Sequence, residues 1–304
     1  MTERPGSNPG SKPDRRAIAL YDRFTHGEMG RREFLDRLAL LAGSVAGATA
    51  LLSTLANDYA SAAIVAPDDR RLAIDRASYE AADGKISGLL ARPKGGDKRP
   101  AVVVIHENRG LNPHIEDVTR RLGVSGFLAF GVDLLSPAGG APADEDKARE
   151  MIGGLDLGKA TADLVAAVSF LKSHPESNGS VGAVGFCWGG GMANRLAVAS
   201  SDLKASVAYY GKTLPAEEAA KVQAPLLLLY AGLDERINAD VQTFEDALKA
   251  ADKEYELEFY EGVDHAFNND TNPARYDRRA AALAWDRTIA FLEGHLGAAV
   301  PPTR

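Results

Sequence analysis

The chain of 304 residues is 45% hydrophobic and 25% charged, the composition of a folded protein with room for one large domain and an appendage, or for two domains. Its net charge of −7 comes without any basic run, which speaks against nucleic-acid binding, where cationic contacts to phosphate supply most of the affinity. The single cysteine, Cys187, excludes an intramolecular disulfide and any metal site built from several cysteines.

Residues 1–63 read as a leader. Met1–Arg16 is rich in Pro, Gly, Ser and charge and is predicted to be disordered. Gly30-Arg31-Arg32-Glu33-Phe34-Leu35 precedes an apolar stretch from Leu38 to Leu55, and Ala60-Ser61-Ala62 offers a small-x-small cleavage pattern. These are the parts of an export signal. The Arg31-Arg32 pair resembles a twin-arginine signal, which predicts a periplasmic or exported protein. The alternative is a retained amphipathic helix on a cytoplasmic protein, packed on the main domain or anchoring an oligomer. Gly43, Gly47 and the hydroxyl residues dilute the apolar run too far for a stable membrane span. The leader is nearly neutral, so the acidic balance belongs to the main domain, residues 64–304.

In that domain, Ile74–Tyr79 and Ile86–Ala91 alternate in polarity around the turn signal Asp83-Gly84 and predict a β-hairpin. Ala101–Ile105 is a short, continuous β-branched run, the mark of a strand buried on both faces. Phe127–Val132, Val181–Gly185, Ala205–Tyr210 and Pro225–Tyr230 have the same character, and Leu257–Tyr260 is a shorter strand near an edge. Ile115–Gly123, Lys159–Leu171, Gly190–Ala199, Val241–Ala250 and Arg278–Leu296 carry apolar residues at helical spacing. Asp144–Arg149, after Gly139-Gly140, reads as a solvated excursion. The alternation predicts an α/β fold: a mostly parallel central sheet with an antiparallel N-terminal hairpin and helices on both faces.

The chemistry gathers at strand ends. Gly185-Phe186-Cys187-Trp188-Gly189 lies between a strand and a helix. In the G-x-nucleophile-x-G arrangement, a sharp turn lifts the middle side chain above the sheet. At a helix N-terminus the dipole also favours a thiolate. Such a nucleophile needs a base and a group to orient that base, in the chain order nucleophile, acid, histidine. Of the six histidines, His265 alone follows a late strand in a turn-rich loop; His174 and His295 close helices, and His26 lies in the leader. Asp234 follows the strand ending at Tyr230, with Glu235 and Asp240 as alternatives and Asp264 beside the histidine. The loop His106-Glu107-Asn108-Arg109-Gly110 follows the strand ending at Ile105. In this topology it supplies one oxyanion-hole N–H and the residue after the nucleophile supplies the other, which assigns Asn108 and Trp188. No H-E-x-x-H spacing joins His106, Glu107 and His114, so no metal site is predicted.

Together these motifs resemble the dienelactone hydrolase family of α/β-hydrolases, from about residue 70 to 296. Gly-Phe-Cys-Trp-Gly-Gly, Tyr209-Tyr210-Gly211 and His265-Ala266-Phe267 are similar to family patterns, and a cysteine in the elbow is the specific mark. The resemblance implies a triad of Cys187, Asp234 and His265. It also implies a role for Glu107, because a family glutamate in that loop contacts the resting thiol and helps it ionise. The best-known members bind a substrate carboxylate through arginines, one of them four residues after the histidine; Asn269 stands there. Arg109 is a substitute cation for a substrate anion, or else a partner of Glu116 or Asp117. Tyr210, Phe267 and Trp188 are candidate pocket walls.

The implied activity is hydrolysis of a small ester or lactone through an acyl-thioester, of the carboxymethylenebutenolidase type, with no cofactor. The alternatives are another acyl substrate, such as a thioester or small peptide, and a catalytically weak binding or thiol-sensing protein on the same fold.

Overall fold

The computed structural model describes residues 13–59, 63–82 and 84–302. Its centre is an eight-stranded sheet in the order β1-β2-β4-β3-β5-β6-β7-β8. The hairpin is β1 (Leu72–Ala81) and β2 (Gly84–Pro93), paired antiparallel so that Ala81 faces Gly84. β2 also runs antiparallel to β4 (Leu128–Asp133). The remaining pairs, through β3 (Arg99–Ile105), β5 (Ser177–Phe186), β6 (Leu203–Tyr209), β7 (Leu226–Ala231) and β8 (Tyr255–Tyr260), are parallel.

The continuous apolar run of β3 has its reason in two cores. A strand sends successive side chains to opposite faces. Ala101, Val103 and Ile105 join Leu164, Val168 and Leu196 on one face; Val102 and Val104 join Ile115, Val118 and Leu292 on the other. The first core lies under α6 (Leu157–Lys172), α7 (Trp188–Ala199) and α9 (Val241–Ala250), the second under α4 (Pro113–Val124) and α10 (Arg278–Leu296). β8 keeps several half-buried and exposed positions because it has a partner on one side alone.

One expectation changes. Asp144–Arg149 is not a solvated excursion: α5 spans Glu145–Gly153. The Asp144 carboxylate accepts from the amides of Asp146 and Lys147, which caps the helix, and Ala148 and Ile152, four apart, bury one face. After β7, α8 (Glu235–Asn238) is a single turn capped by Asp234.

In the leader, α1 (Arg15–Thr25), α2 (Arg31–Ala42) and α3 (Val45–Leu55) enclose a third core of Ile18, Tyr21, Phe24, Phe34, Leu38 and Leu55, which Ala274 of the main domain joins. Leu55 O accepts from Asn272 Nδ2 at 2.6 Å, and the Asp58 amide donates to Thr271 O at 2.6 Å. Among the described residues no single helix is long and apolar enough to cross a membrane; α2 and α3 have the length and composition together but the chain bends by 109° between them. Most of the stretch expected to be disordered, and the Ala60-Ser61-Ala62 pattern, lie outside the described residues.

Candidate active site

The parallel strands β3, β5, β6, β7 and β8 each carry a candidate group just past the carboxyl end, where open α/β sheets place their ligands. Cys187 follows β5, and its backbone turns to φ 54°, ψ −114°. A non-glycine residue holds such a conformation only when its surroundings impose it. The flanking glycines show how. A Cβ on Gly185 would stand 1.9 Å from Gly189 O, and one on Gly189 would stand 2.4 Å from the carbonyls of Ile105 and His106. The elbow and the β3 loop are in direct backbone contact, and the thiol is carried to the start of α7 with 8% of its surface exposed.

Asp234 and His265 meet as an acid–imidazole pair. His265 Nδ1 donates to Asp234 Oδ2, while Asp234 Oδ1 accepts the Ile237 amide at 3.2 Å. His265 Nε2 is buried and has no hydrogen-bond partner among the described residues. Sγ of Cys187 and ring nitrogens of His265 and His26 lie within 4.8 Å of one another. Burial pushes the Cys187 thiol up, but the imidazoles of His265 and His26 outweigh it and hold the thiol down at about 6. Burial opposes a charge on His265, yet Asp234, Asp22 and the thiolate raise it well above the ordinary imidazole range. Asp234 is held low by His265 against the effect of its own burial.

Glu107 is buried at the end of β3. Asn269 Nδ2 donates to it at 2.8 Å and the Tyr210 hydroxyl at 3.4 Å. Tyr210 follows β6 in a left-handed conformation, φ 39°, with its ring 4.9 Å from that of His265. Asn108 and Trp188 line, with Cys187, a cavity of about 410 Å³. The Trp188 ring stacks on His106 at 5.5 Å and 9°.

Two other candidates lie elsewhere. Phe267 is fully buried and packs on Tyr209, Tyr210 and Tyr260. The Arg109 guanidinium turns to the leader: Nη2 donates to the Tyr21 hydroxyl at 3.1 Å, and Nε lies 3.0 Å from Glu145 Oε2. Neither Glu116 nor Asp117 is its partner; they pair with Arg76 and with Arg120 and Arg121.

Sequence reasoning missed His26 and Asp22. His26 Nε2 lies 3.3 Å from Cys187 Sγ, and Asp22 Oδ1 lies 3.3 Å from His26 Nδ1. The pair has i, i+4 spacing across the end of α1, which His26 caps, a visible signal, but nothing local ties that helix to the elbow. Arg149, Lys212 and Arg236, which also line the cavity, were not singled out either.

Comparison with known proteins identifies the family. Residues 86–296 match the model of the "Dienelactone hydrolase family". A "Putative carboxymethylenebutenolidase" of Escherichia coli O157:H7 is 32% identical over 258 residues, covering 80% of this chain and 94% of that protein. A protein of the same description from Methylorubrum extorquens is 30% identical over 268 residues, covering 83% and 91%. Among solved structures, a "Putative Dienelactone Hydrolase" from Klebsiella pneumoniae superposes with a TM-score of 0.66 at 29% identity, covering 73% of this chain and 100% of that one. The "Dienelactone Hydrolase-like" phosphotriesterase P91 from metagenomic libraries gives 0.65 at 25% identity, covering 74% and 100%. With its mixed eight-stranded sheet and its elbow cysteine, the chain belongs to the dienelactone hydrolase family.

Proposed function

We propose that the chain is a carboxylic ester hydrolase of the carboxymethylenebutenolidase type, which opens a small ester or lactone through a Cys187 acyl-thioester. The observation that carries this reading is the arrangement at the elbow: a strained cysteine, a thiol held at about 6, and a buried His265 Nε2 with no other partner among the described residues.

The steps follow from the groups present. The Cys187 thiolate attacks the acyl carbon; the C–S bond forms and the carbonyl electrons move to oxygen. The amides of Asn108 and Trp188 receive that oxyanion, one donor contributing about 3–4 kcal/mol in favourable cases. Collapse breaks the C–O bond, and the leaving oxygen takes the proton of His265 Nε2. His265 then removes a proton from water, hydroxide attacks the thioester, and Cys187 leaves as thiolate. Asp234 holds the ring in the tautomer these transfers need. No step calls on a cofactor.

A p-nitrophenyl ester tests this reading. We expect a burst of nitrophenolate equal to the enzyme, a trapped acyl group on Cys187, and loss of turnover on alkylation or in Cys187→Ala. Full turnover by the alkylated protein overturns it.

The leader carries a separate reading, export of the folded chain by the twin-arginine route. What supports it is the exposed pair Arg31 and Arg32 at the start of α2. A reporter fused to residues 1–63 should cross the inner membrane, and should fail to cross when both arginines become lysine.

A further inference from the structure

The nucleophile has two imidazole–carboxylate pairs around it, and the second comes from the leader. The carbonyl of Asp22, which can only accept, takes a hydrogen bond from His26 Nδ1 at 2.7 Å. Nδ1 therefore carries a proton. His26 Nε2, 3.3 Å from Cys187 Sγ, then either accepts from a thiol or, as imidazolium, donates to a thiolate. The Asp22 carboxylate stands 3.3 Å from Nδ1 and is itself held by Arg275 Nη1 at 3.4 Å. The ring of His26 meets that of His265 edge-on at 4.7 Å.

The helix that brings this ring is anchored where it meets the site. Asn108 Nδ2 donates to Thr25 O at 2.7 Å, and Arg109 donates to Tyr21. The Arg149 guanidinium lies 4.3 Å over the Phe24 ring, and Arg275 lies 5.3 Å over Tyr21. Thr25, His26 and Gly27 form one wall of the cavity at Cys187. The carboxylate of Glu107, meanwhile, is engaged by Asn269 and Tyr210.

We propose that His26 is a further catalytic residue of this site: held by Asp22, its imidazolium pairs with the resting Cys187 thiolate and leaves His265 free for proton transfer. The inference rests on the reading of Cys187 as nucleophile. The thiol proton moves from Sγ to His26 Nε2, and the new ion pair replaces the S–H bond. His26 keeps that proton while His265 gives one to the leaving oxygen and regains one from water. The departing thiolate then meets the same imidazolium. Leader and main domain make one site.

The direction of the charges agrees. Burial works against a proton on His26, but the thiolate and Asp22 raise it above the ordinary imidazole range. The other charged groups near this pair come from several elements: His265 and Asp234, Arg236 on α8, Arg149 and Glu150 on α5, and Lys212 after β6.

The test uses the full-length chain. The rate of Cys187 alkylation by iodoacetamide is followed from pH 4.5 to 9.5 in the unaltered protein, in His26→Gln and in Asp22→Asn. Turnover of a neutral ester is followed over the same range. We expect the alkylation midpoint to rise by at least one pH unit in His26→Gln, which from a midpoint of about 6 cuts the thiolate at pH 6 by about fivefold or more, and by less in Asp22→Asn, which keeps the ring. We expect the loss of kcat/KM to be largest below pH 6 and mostly recovered by pH 9. A purely structural role lowers the rate equally at every pH, and that outcome, or an unchanged midpoint in both variants, overturns the inference. Asp22→Asn decides the matter if His26→Gln does not fold. Turnover retained by Cys187→Ala would instead sink the underlying nucleophile reading, so the two failures are distinguishable.

Discussion

Asn269 donates its side-chain amide to the buried carboxylate of Glu107 at 2.8 Å, across 162 residues of sequence. It stands four residues after His265, where the resemblance implies an arginine for a substrate anion. Here the position serves the protein's own carboxylate. Asn269 Oδ1 also accepts from the Thr271 hydroxyl at 2.6 Å and from the Thr271 amide at 3.1 Å. The residue thus ties the loop after β8 to the loop after β3, the two loops that carry His265 and Asn108.

Replacing it should therefore cost stability first. Asn269→Leu leaves a carboxylate oxygen of Glu107 without its nearest donor, and a hydrogen bond to a charged group contributes about 1.5–3 kcal/mol. We expect a loss of that size in urea denaturation with the slope unchanged. A stability within about 0.5 kcal/mol of the unaltered protein would mean that solvent or Tyr210 takes over the contact.

Arg109→Gln should lower turnover of a charged lactone and of a neutral ester of similar size to the same degree. The guanidinium lies between Tyr21 and Glu145, and its withdrawal loosens α1 where Asn108 also holds it. A loss confined to the charged substrate would restore the anion-anchor role that the sequence suggests.

That contrast shows where sequence reasoning reaches and where it stops. β3, the elbow and the Asp234–His265 pair were legible because local rules act there: continuous β-branched residues, glycines forced by backbone approach at Gly185 and Gly189, and a fixed chain order of groups at strand ends. α5 was hidden behind its charges, since two buried positions, Ala148 and Ile152, are too few to set a period. The partners of Arg109 and of Cys187 were hidden for another reason. Tyr21 and His26 belong to a leader whose docking is tertiary, and no local pattern carries it.

The acid limb of activity should lie near pH 6. The thiol's folded pKa is depressed to about 6, so the reactive thiolate is present above that pH and lost as pH falls through it. We expect kcat/KM for a neutral ester to fall about tenfold for each unit below pH 5.5. A limb near 8.5, the value of a free thiol, would show that neither imidazole stabilises the thiolate.

The readings of residues 1–63 differ in their product. Cleavage after Ala62 removes His26, Asp22 and the Tyr21 contact to Arg109. If the leader completes the site, the intact mass of active protein from native cells must include His26. Fully active protein beginning at Ala63 would show that the main domain needs no second imidazole.

Asp234→Asn separates orientation from folding. Asp234 has two duties, with Oδ2 on His265 and Oδ1 capping α8 through the Ile237 amide. Asparagine caps a helix about as well as aspartate, so its amide oxygen can keep the second duty. The first is lost: an amide carries no charge to support the imidazolium, and its NH₂ invites the wrong ring tautomer. Turnover should fall about 10⁴-fold, the size of effect seen when a triad carboxylate becomes an amide. The linkage has a definite sign. The His265 pKa is raised by its partner, so that contribution to stability is full below about 6.5 and disappears as pH rises through the raised value. Asp234 is depressed, so its contribution is present above about 4 and disappears as pH falls. Asp234→Asn should therefore be less stable than the unaltered protein between these limits, near pH 5 to 6.5, and closer to it below pH 3. Asp240→Asn is the control, because the side chain of Asp240 makes no capping bond to α9. It should change turnover less than about twofold. Damage from Asp240→Asn with a silent Asp234→Asn would move the acid of the triad to the start of α9.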